Sequence, residues 1–208
     1  MNKETDLTEV TTETTRAFTG RALTIDVVSI VMPNGRKSTR EIIRHRGAAV
    51  LLGQRPDGKF VLVRQYRKSI EETLLEVVAG GLEEGEKPEE CARREMEEES
   101  GYPVLSLEPI GVTVPCPGYS EERHHLYFAK LAQEPLEQRP DFDENLEPVI
   151  MSADEINAAI DSGAIIDGKS ITIWLLWQRK QGQGVGVLSC DTRGGYGKVC
   201  PFKRGSHV

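Results

Sequence analysis

The sequence predicts an α/β fold with a small antiparallel β subdomain on its N-terminal side. Three observations carry that reading. Residues 47–53, GAAVLLG, are an apolar run with the length of a buried strand. Lys87-Pro88-Glu89-Glu90 opens a helix that Gly101 closes. Proline suits the first helical position, early carboxylates meet the positive end of the helix dipole, and glycine is a good stop. Residues 21–45 place β-branched residues on both sides of the turn Pro33-Asn34-Gly35, which reads as a hairpin.

In chain order, residues 1–19 are polar and rich in Thr and Glu, and a loose start is expected. The hairpin strands run from Arg21 to Met32 and from Ser38 to His45. Arg55-Pro56-Asp57-Gly58 is a turn, and Lys59 to Tyr66 is a strand. After the helix, Leu105 to Val114 is a strand that ends in the turn-rich loop Pro115–Glu121. His124 to Leu131 is the next strand, and residues 133–145 form a polar loop. Leu146 to Met151 is a strand. Ser152 caps a helix through about Ser162, with Asp154 and Glu155 in its first turn. Residues 167–170 lead into a second helix, Ile171 to about Lys180, with Trp174 and Trp177 as core residues. The Gly-rich tail has no periodicity and is expected to be disordered. The expected boundaries are a flexible segment at 1–19, a β subdomain at 20–46, a main domain at 47–181 and a tail at 182–208.

Composition narrows the function. The chain has 208 residues and a net charge of −7. Residues 80–102 hold nine Glu against Lys87, Arg93 and Arg94, so that stretch alone carries −6 and the remainder is nearly neutral. No basic surplus points to nucleic acid. No apolar run reaches the roughly 18 residues of a membrane span, and no signal peptide opens the chain. Cys91, Cys116, Cys190 and Cys200 are scattered without a zinc-ligand spacing, and a cytoplasmic setting is expected. His45, His124, His125 and His207 form no ligand-spaced set.

The chemistry concentrates in GGLEEGEKPEECARREMEEESGY, residues 80–102. At 100° per residue, Glu95, Glu98 and Glu99 fall within one arc of roughly 100°, while Glu90 and Glu97 point to water. Like charges at i, i+3 and i+4 repel, so the helix itself gains nothing from them. A hard cation reverses that sign, because carboxylate oxygens suit Mg²⁺.

Gly80, Glu86, Arg94, Glu95, Glu98, Glu99 and Gly101 match every fixed position of the Nudix box. The stretch therefore resembles the signature of the Nudix hydrolases. The resemblance implies an α/β/α sandwich with a mixed sheet. It also implies hydrolysis of a nucleoside diphosphate linked to another moiety. Glu95, Glu98 and Glu99 would be metal ligands, with the backbone carbonyl of Ala79 as a further one. Glu86 and Arg94 would form a structural ion pair that holds loop to helix. The run VRQYRKSIEETLLEVVAGGLEEGE resembles the ADP-ribose pyrophosphatase subgroup, and so does the N-terminal hairpin. That likeness places Arg67 and Glu71 in the substrate pocket and Glu76 in support of the metal site. It also implies a homodimer, with Arg40 reaching the partner's nucleotide. The loop carrying Pro117, Ser120 and Glu121 fits the same subgroup, although Cys116 stands where Ser is usual.

A pyrophosphate repels an attacking water, so its cleavage needs charge neutralisation and alignment. The expected cofactor is Mg²⁺, with Mn²⁺ as a substitute. By the resemblance, the general base lies on the acidic loop before Leu146. Glu144 is the choice, with Asp143 and Glu121 in reserve. The expected reaction converts ADP-ribose to AMP and ribose 5-phosphate. Another nucleoside diphosphate sugar, GDP-mannose or a UDP-sugar, is the alternative substrate. A catalytically silent nucleotide-sugar-binding module is the competing class of function.

Overall fold

A computed structural model describes residues 6–139 and 145–182. The chain begins with a three-stranded antiparallel sheet of β1 (Val10–Thr19), β2 (Thr24–Val31) and β3 (Lys37–Arg44), in that order. The hairpin read from the Asn34-Gly35 turn is β2 and β3, with Val28 opposite Arg40. β2 buries Asp26, Val28 and Ile30 on one face, the period-2 pattern of a half-covered strand.

β1 corrects the expectation of a loose start. Its sequence, VTTETTRAFT, is exposed at every position. It gains its order from backbone pairing with β2 and from the β propensity of Thr and Val, not from burial. Arg16 adds an ion pair to the buried Asp26.

The second sheet contains β4 (Ala48–Gln54), β5 (Phe60–Arg67), β6 (Glu72–Gly81), β7 (Val104–Thr113), β8 (His124–Leu131) and β9 (Leu146–Met151). Helix α1 (Pro88–Ser100) follows β6, and α2 (Ala153–Ser162) and α3 (Gly168–Lys180) follow β9. The strand order is β7-β8-β4-β6-β5-β9. β4 pairs parallel with β8 and antiparallel with β6, so the sheet is mixed. β6 is an element the sequence reading did not include.

Because β4 is central, successive residues alternate between two buried faces. Ala49 and Leu51 meet Cys91, Ala92 and Met96 of α1 on one side. Val50 and Leu52 meet Ile156 of α2 and Ile173, Trp174 and Trp177 of α3 on the other. The result is the expected α/β/α sandwich. Phe60 anchors the second core, edge-on to Trp174 and Trp177 at 5.1 and 5.0 Å between ring centroids. The caps hold as read for α2: the Ser152 hydroxyl accepts from Glu155 N, and the Glu155 carboxylate accepts from Ser152 N. α3 begins earlier than expected, because the Asp167 carboxylate accepts from Ser170 N and caps it at Gly168. The tail from residue 183 onward, with Cys190 and Cys200, lies outside the described residues.

Candidate active site

α1 carries the acidic face, and its ends fix where that face points. Lys87 is the N-cap, Pro88 begins the helix, and the Glu90 carboxylate accepts from Lys87 N at 3.2 Å. Gly101 ends it in the left-handed conformation, at φ 77°, and sends its N–H to the carbonyl of Glu97. Cys91, Ala92 and Met96 are buried against the sheet, so the helix cannot rotate without losing that packing. This holds Glu95 and Glu99, 8% and 2% exposed, toward the β6 loop, with Glu98 at the rim. Glu90 and Glu97 point to solvent, as the helical arc predicts.

Gly80 explains the loop. A Cβ there would lie inside the Glu95 carboxylate. The absence of a side chain therefore lets the main chain of Ala79–Gly81 come up against the acidic helix.

Arg94 ties the two together. Its guanidinium donates to both Glu86 oxygens at 2.9 and 3.0 Å, and to the Gly81 carbonyl at 3.2 Å. It also donates to Glu95 at 2.6 Å and to Glu98 at 3.1 Å. Among the described residues, no three acidic, His or Cys side chains converge on one point in metal-ligand geometry. Arg94 holds two of the three carboxylates itself. The donor set still fits a hard divalent cation. It consists of carboxylate oxygens beside a backbone loop admitted by glycine, the oxygen donors a hard cation prefers.

The Arg94 guanidinium also holds the Glu86 carboxyl down at about 2, against an ordinary 4.5. A depressed carboxylate pKa contributes stability that is complete above the unfolded value and disappears as pH falls through the folded one. Glu86→Gln is therefore expected to destabilise the protein by about 1 kcal/mol at neutral pH, less than the full shift because solvent screens the pair. The difference from wild type should vanish between about pH 5 and pH 2. Urea unfolding across that range measures it, and a pH-independent difference would remove the pair from the account of acid stability.

Beside this loop opens a cavity of about 710 Å³. Ala79, Gly80 and Gly81 form one wall, and Arg67 and Lys169 bring positive charge to another. Arg67 donates to both Glu76 oxygens at 2.8 and 2.7 Å. Lys169, at the start of α3, pairs with the same carboxylate and with Asp167 at 3.1 Å. Glu76 is 1% exposed. Burial pushes its carboxyl up, but the hydrogen bond from Arg67 and the charge of Lys169 more than offset that, and the net shift is downward. A third wall holds His45, Glu122 and His124. His124 Nε2 lies 3.2 Å from Glu122 Oε1, and this hydrogen bond keeps the Glu122 carboxyl below its ordinary range.

The residues expected at the site do not all meet here. Ala79 and Arg67 line the cavity, and Glu76 stands behind Arg67. Pro117, Ser120 and Glu121 line an adjoining cavity of about 620 Å³ that shares His45 with the first. Both Glu121 oxygens are engaged, one by Arg44 at 2.9 Å and one by His45 N at 3.1 Å. Glu71 sits on the exposed turn between β5 and β6, at φ 57°, and pairs with Lys68 at 2.5 Å. Arg40 lies on β3 and pairs with Glu9. Neither Glu71 nor Arg40 reaches the cavity of its own chain. Glu144 and Asp143 lie outside the described residues. The sequence reading missed His45, Glu122, His124 and Lys169 as cavity residues. The one available signal was the polar run Glu121–His125 opening an otherwise apolar strand.

The chain is similar to known proteins over most of its length. Residues 43–174 match the NUDIX domain family. The chain is 35% identical over 165 residues to an ADP-ribose pyrophosphatase of Bacillus subtilis, covering 79% of this chain and 89% of that protein. It is 37% identical over 164 residues to a methanol dehydrogenase activator of Bacillus methanolicus, covering 78% and 89%. A crystal structure of an ADP compounds hydrolase superposes with a TM-score of 0.74 at 20% identity. That superposition covers 87% of this chain and 100% of the other, and it establishes the fold. A divalent metal is a general requirement of such hydrolases, in keeping with the carboxylates of α1. No described helix is long and apolar enough to cross a membrane. With the family match spanning most of the chain and the glycine loop seated on its acidic helix, the chain belongs to the Nudix hydrolase family and resembles the ADP-ribose pyrophosphatases within it.

Proposed function

We propose that this protein hydrolyses the pyrophosphate of ADP-ribose to AMP and ribose 5-phosphate, with Mg²⁺ as its metal. One observation carries the reading. The 710 Å³ cavity joins the Ala79–Gly81 loop over the acidic helix to the cationic pair Arg67 and Lys169. A nucleoside diphosphate sugar needs both features, hard oxygen ligands for a cation on its phosphates and guanidinium or ammonium groups for the remaining charge.

In this mechanism Glu95, Glu98 and Glu99, with the Ala79 carbonyl, would hold the metal. When bound, the metal supplies neutralisation of phosphate charge and a lowered pKa for a coordinated water. The chain does the rest. Arg67, fixed in plane by two bonds to Glu76, presents its remaining N–H groups to a phosphate. Lys169 is held beside it by Glu76 and Asp167. Arg94 keeps α1 and the loop at one separation by bonding Glu86 and the Gly81 carbonyl. Glu144 is assigned as the general base that takes the proton of the attacking water. The exposed outer strand β1, with Val10 and Phe18 uncovered, supports assembly as a homodimer in which Arg40 serves the partner's nucleotide. The free thiols of Cys91 and Cys116 suit a reducing cytoplasm.

The test is kcat/KM with Mg²⁺ over ADP-ribose, GDP-mannose, UDP-glucose, NADH and diadenosine polyphosphates, with Glu144→Gln in the same assay. ADP-ribose should lead, and Glu144→Gln should reduce kcat far more than it changes KM. A tenfold preference for another substrate, about 1.4 kcal/mol of transition-state binding, would overturn the substrate assignment. Absence of any turnover with every metal tried would favour the silent binding module.

A further inference from the structure

The wall of the cavity that bears Pro115, Cys116, Glu122 and His124 belongs to the connection between β7 and β8 and to the first residue of β8. That connection is docked on the N-terminal sheet. Ile43 N, on β3, donates to the Tyr119 carbonyl at 2.8 Å, and Glu121 N returns a bond to the Ile43 carbonyl at 3.2 Å. Ile43 and Ser120 thereby form an isolated parallel bridge, which fastens the loop to β3 at one point.

Charge locks the same junction. Asp26, on β2, is 5% exposed in the N-terminal sheet. One of its oxygens pairs with Arg16 and the other accepts from Arg44 Nε at 2.8 Å. Arg44 Nη1 then donates to Glu121 Oε2 at 2.9 Å, and Glu121 Oε1 takes the N–H of His45 at 3.1 Å. One planar guanidinium therefore spans two carboxylates, one in each sheet's territory. A lysine carries one compact charge and lacks the planar fork that fixes the direction of both bonds at once. His45, the next residue, lines the substrate cavity itself.

We infer that Arg44, clamped between Asp26 and Glu121, is a positioning residue for substrate binding, which holds the Pro115–His124 wall of the cavity onto the N-terminal sheet. It touches no reacting atom and acts through Glu121 and His45. This gives Glu121 the role of a tether. It rests on the pyrophosphatase reading for its substrate. The wall it sets carries none of the carboxylates of α1, so loss of the clamp removes binding common to ground and transition states. Such a loss raises KM and spares kcat.

The experiment compares wild type with Arg44→Ala, Arg44→Lys and Glu121→Gln, measuring kcat and KM for ADP-ribose with Mg²⁺ and amide hydrogen exchange at Ile43, Tyr119 and Glu121. Lys180→Ala, which breaks an exposed ion pair with Glu108, is the control for losing any surface pair. Arg44→Ala is expected to raise KM about tenfold with kcat within about twofold, and to speed exchange at the three amides. Arg44→Lys should recover only part of the KM change. Glu121→Gln keeps the shape of the side chain and removes its charge, so it decides the matter if Arg44→Ala does not fold. KM within about twofold of wild type in the folded variants, or a fall confined to kcat, overturns the inference. A wild type that does not turn over ADP-ribose fails the underlying reading instead. In that case faster exchange at the three amides, or its absence in both Arg44→Ala and Glu121→Gln, still decides whether the clamp holds the wall.

Discussion

Glu99→Gln and Glu98→Gln are each expected to lower kcat by about 10²-fold or more at saturating Mg²⁺, with the fold intact. Gln keeps the volume of the side chain and one oxygen, so neither change opens a cavity in the packing of α1. What is lost is the formal charge that lets a carboxylate bind a hard cation. Glu99 is the more telling of the two, because it is 2% exposed. Circular dichroism and thermal melting should change little. The Mg²⁺ concentration that gives half-maximal activity should also rise if the lost group is a ligand. Near-wild-type turnover in both variants would refute the assignment of the metal face.

The second large effect concerns Glu76. Glu76→Ala removes the buried carboxylate shared by Arg67 and Lys169 and leaves two cations facing each other at the cavity wall. Breaking a buried pair from one side costs on the order of 3–5 kcal/mol, because the surviving charge stays desolvated. Arg67 retains 38% of its side-chain exposure and Lys169 only 13%, so Lys169, left with its pair to Asp167, carries most of the penalty. A stability loss of about 3 kcal/mol is therefore expected, together with a steep fall in kcat/KM as Arg67 loses its two fixed bonds. Adding Lys169→Met to Glu76→Ala should restore part of the stability, since it removes a buried charge that has lost one of its two carboxylates. It should not restore activity. A double variant whose loss equals the sum of the single losses would show that the three groups do not act as one unit.

Much of this architecture was legible from local pattern. The helix at Pro88–Ser100, the cap at Ser152 and the strand at Leu146–Met151 follow from signals within a few residues of each boundary. The acidic face was legible because helical periodicity alone brings Glu95, Glu98 and Glu99 together. β6 was not. Its sequence, ETLLEVVAGG, holds Glu76 in a buried stretch, and only the distant Lys169 and the neighbouring Arg67 make that tolerable. β1 was missed for the opposite reason, since a strand that buries nothing leaves no periodic trace. The cavity wall of His45, Glu122, His124 and Lys169 draws on β3's end, the β7–β8 connection and α3. Their meeting depends on the order of strands in the sheet, which spacing along the chain does not encode.

The C-terminal end of α1 has a kinetic consequence. Its last carbonyls are taken by the chain that returns after β8. Leu136 N donates to the Gly101 carbonyl at 2.7 Å and Arg139 N to that of Glu98 at 3.0 Å, while the Gln138 amide reaches the Glu99 carbonyl. Gly101 has no side chain where a Cβ would strike the carbonyl oxygen of Leu136. On the far side, Leu146 resumes pairing opposite Gln65, two residues before Arg67. The connection that contains Glu144 therefore starts on the helix bearing the acidic face and ends beside the strand bearing Arg67. Both moorings are part of the folded framework, so the segment proposed to supply the base has its two ends fixed on either side of the cavity's acidic and cationic elements. Inserting residues between Arg139 and Leu146 is therefore expected to lower kcat while leaving every proposed metal ligand in place.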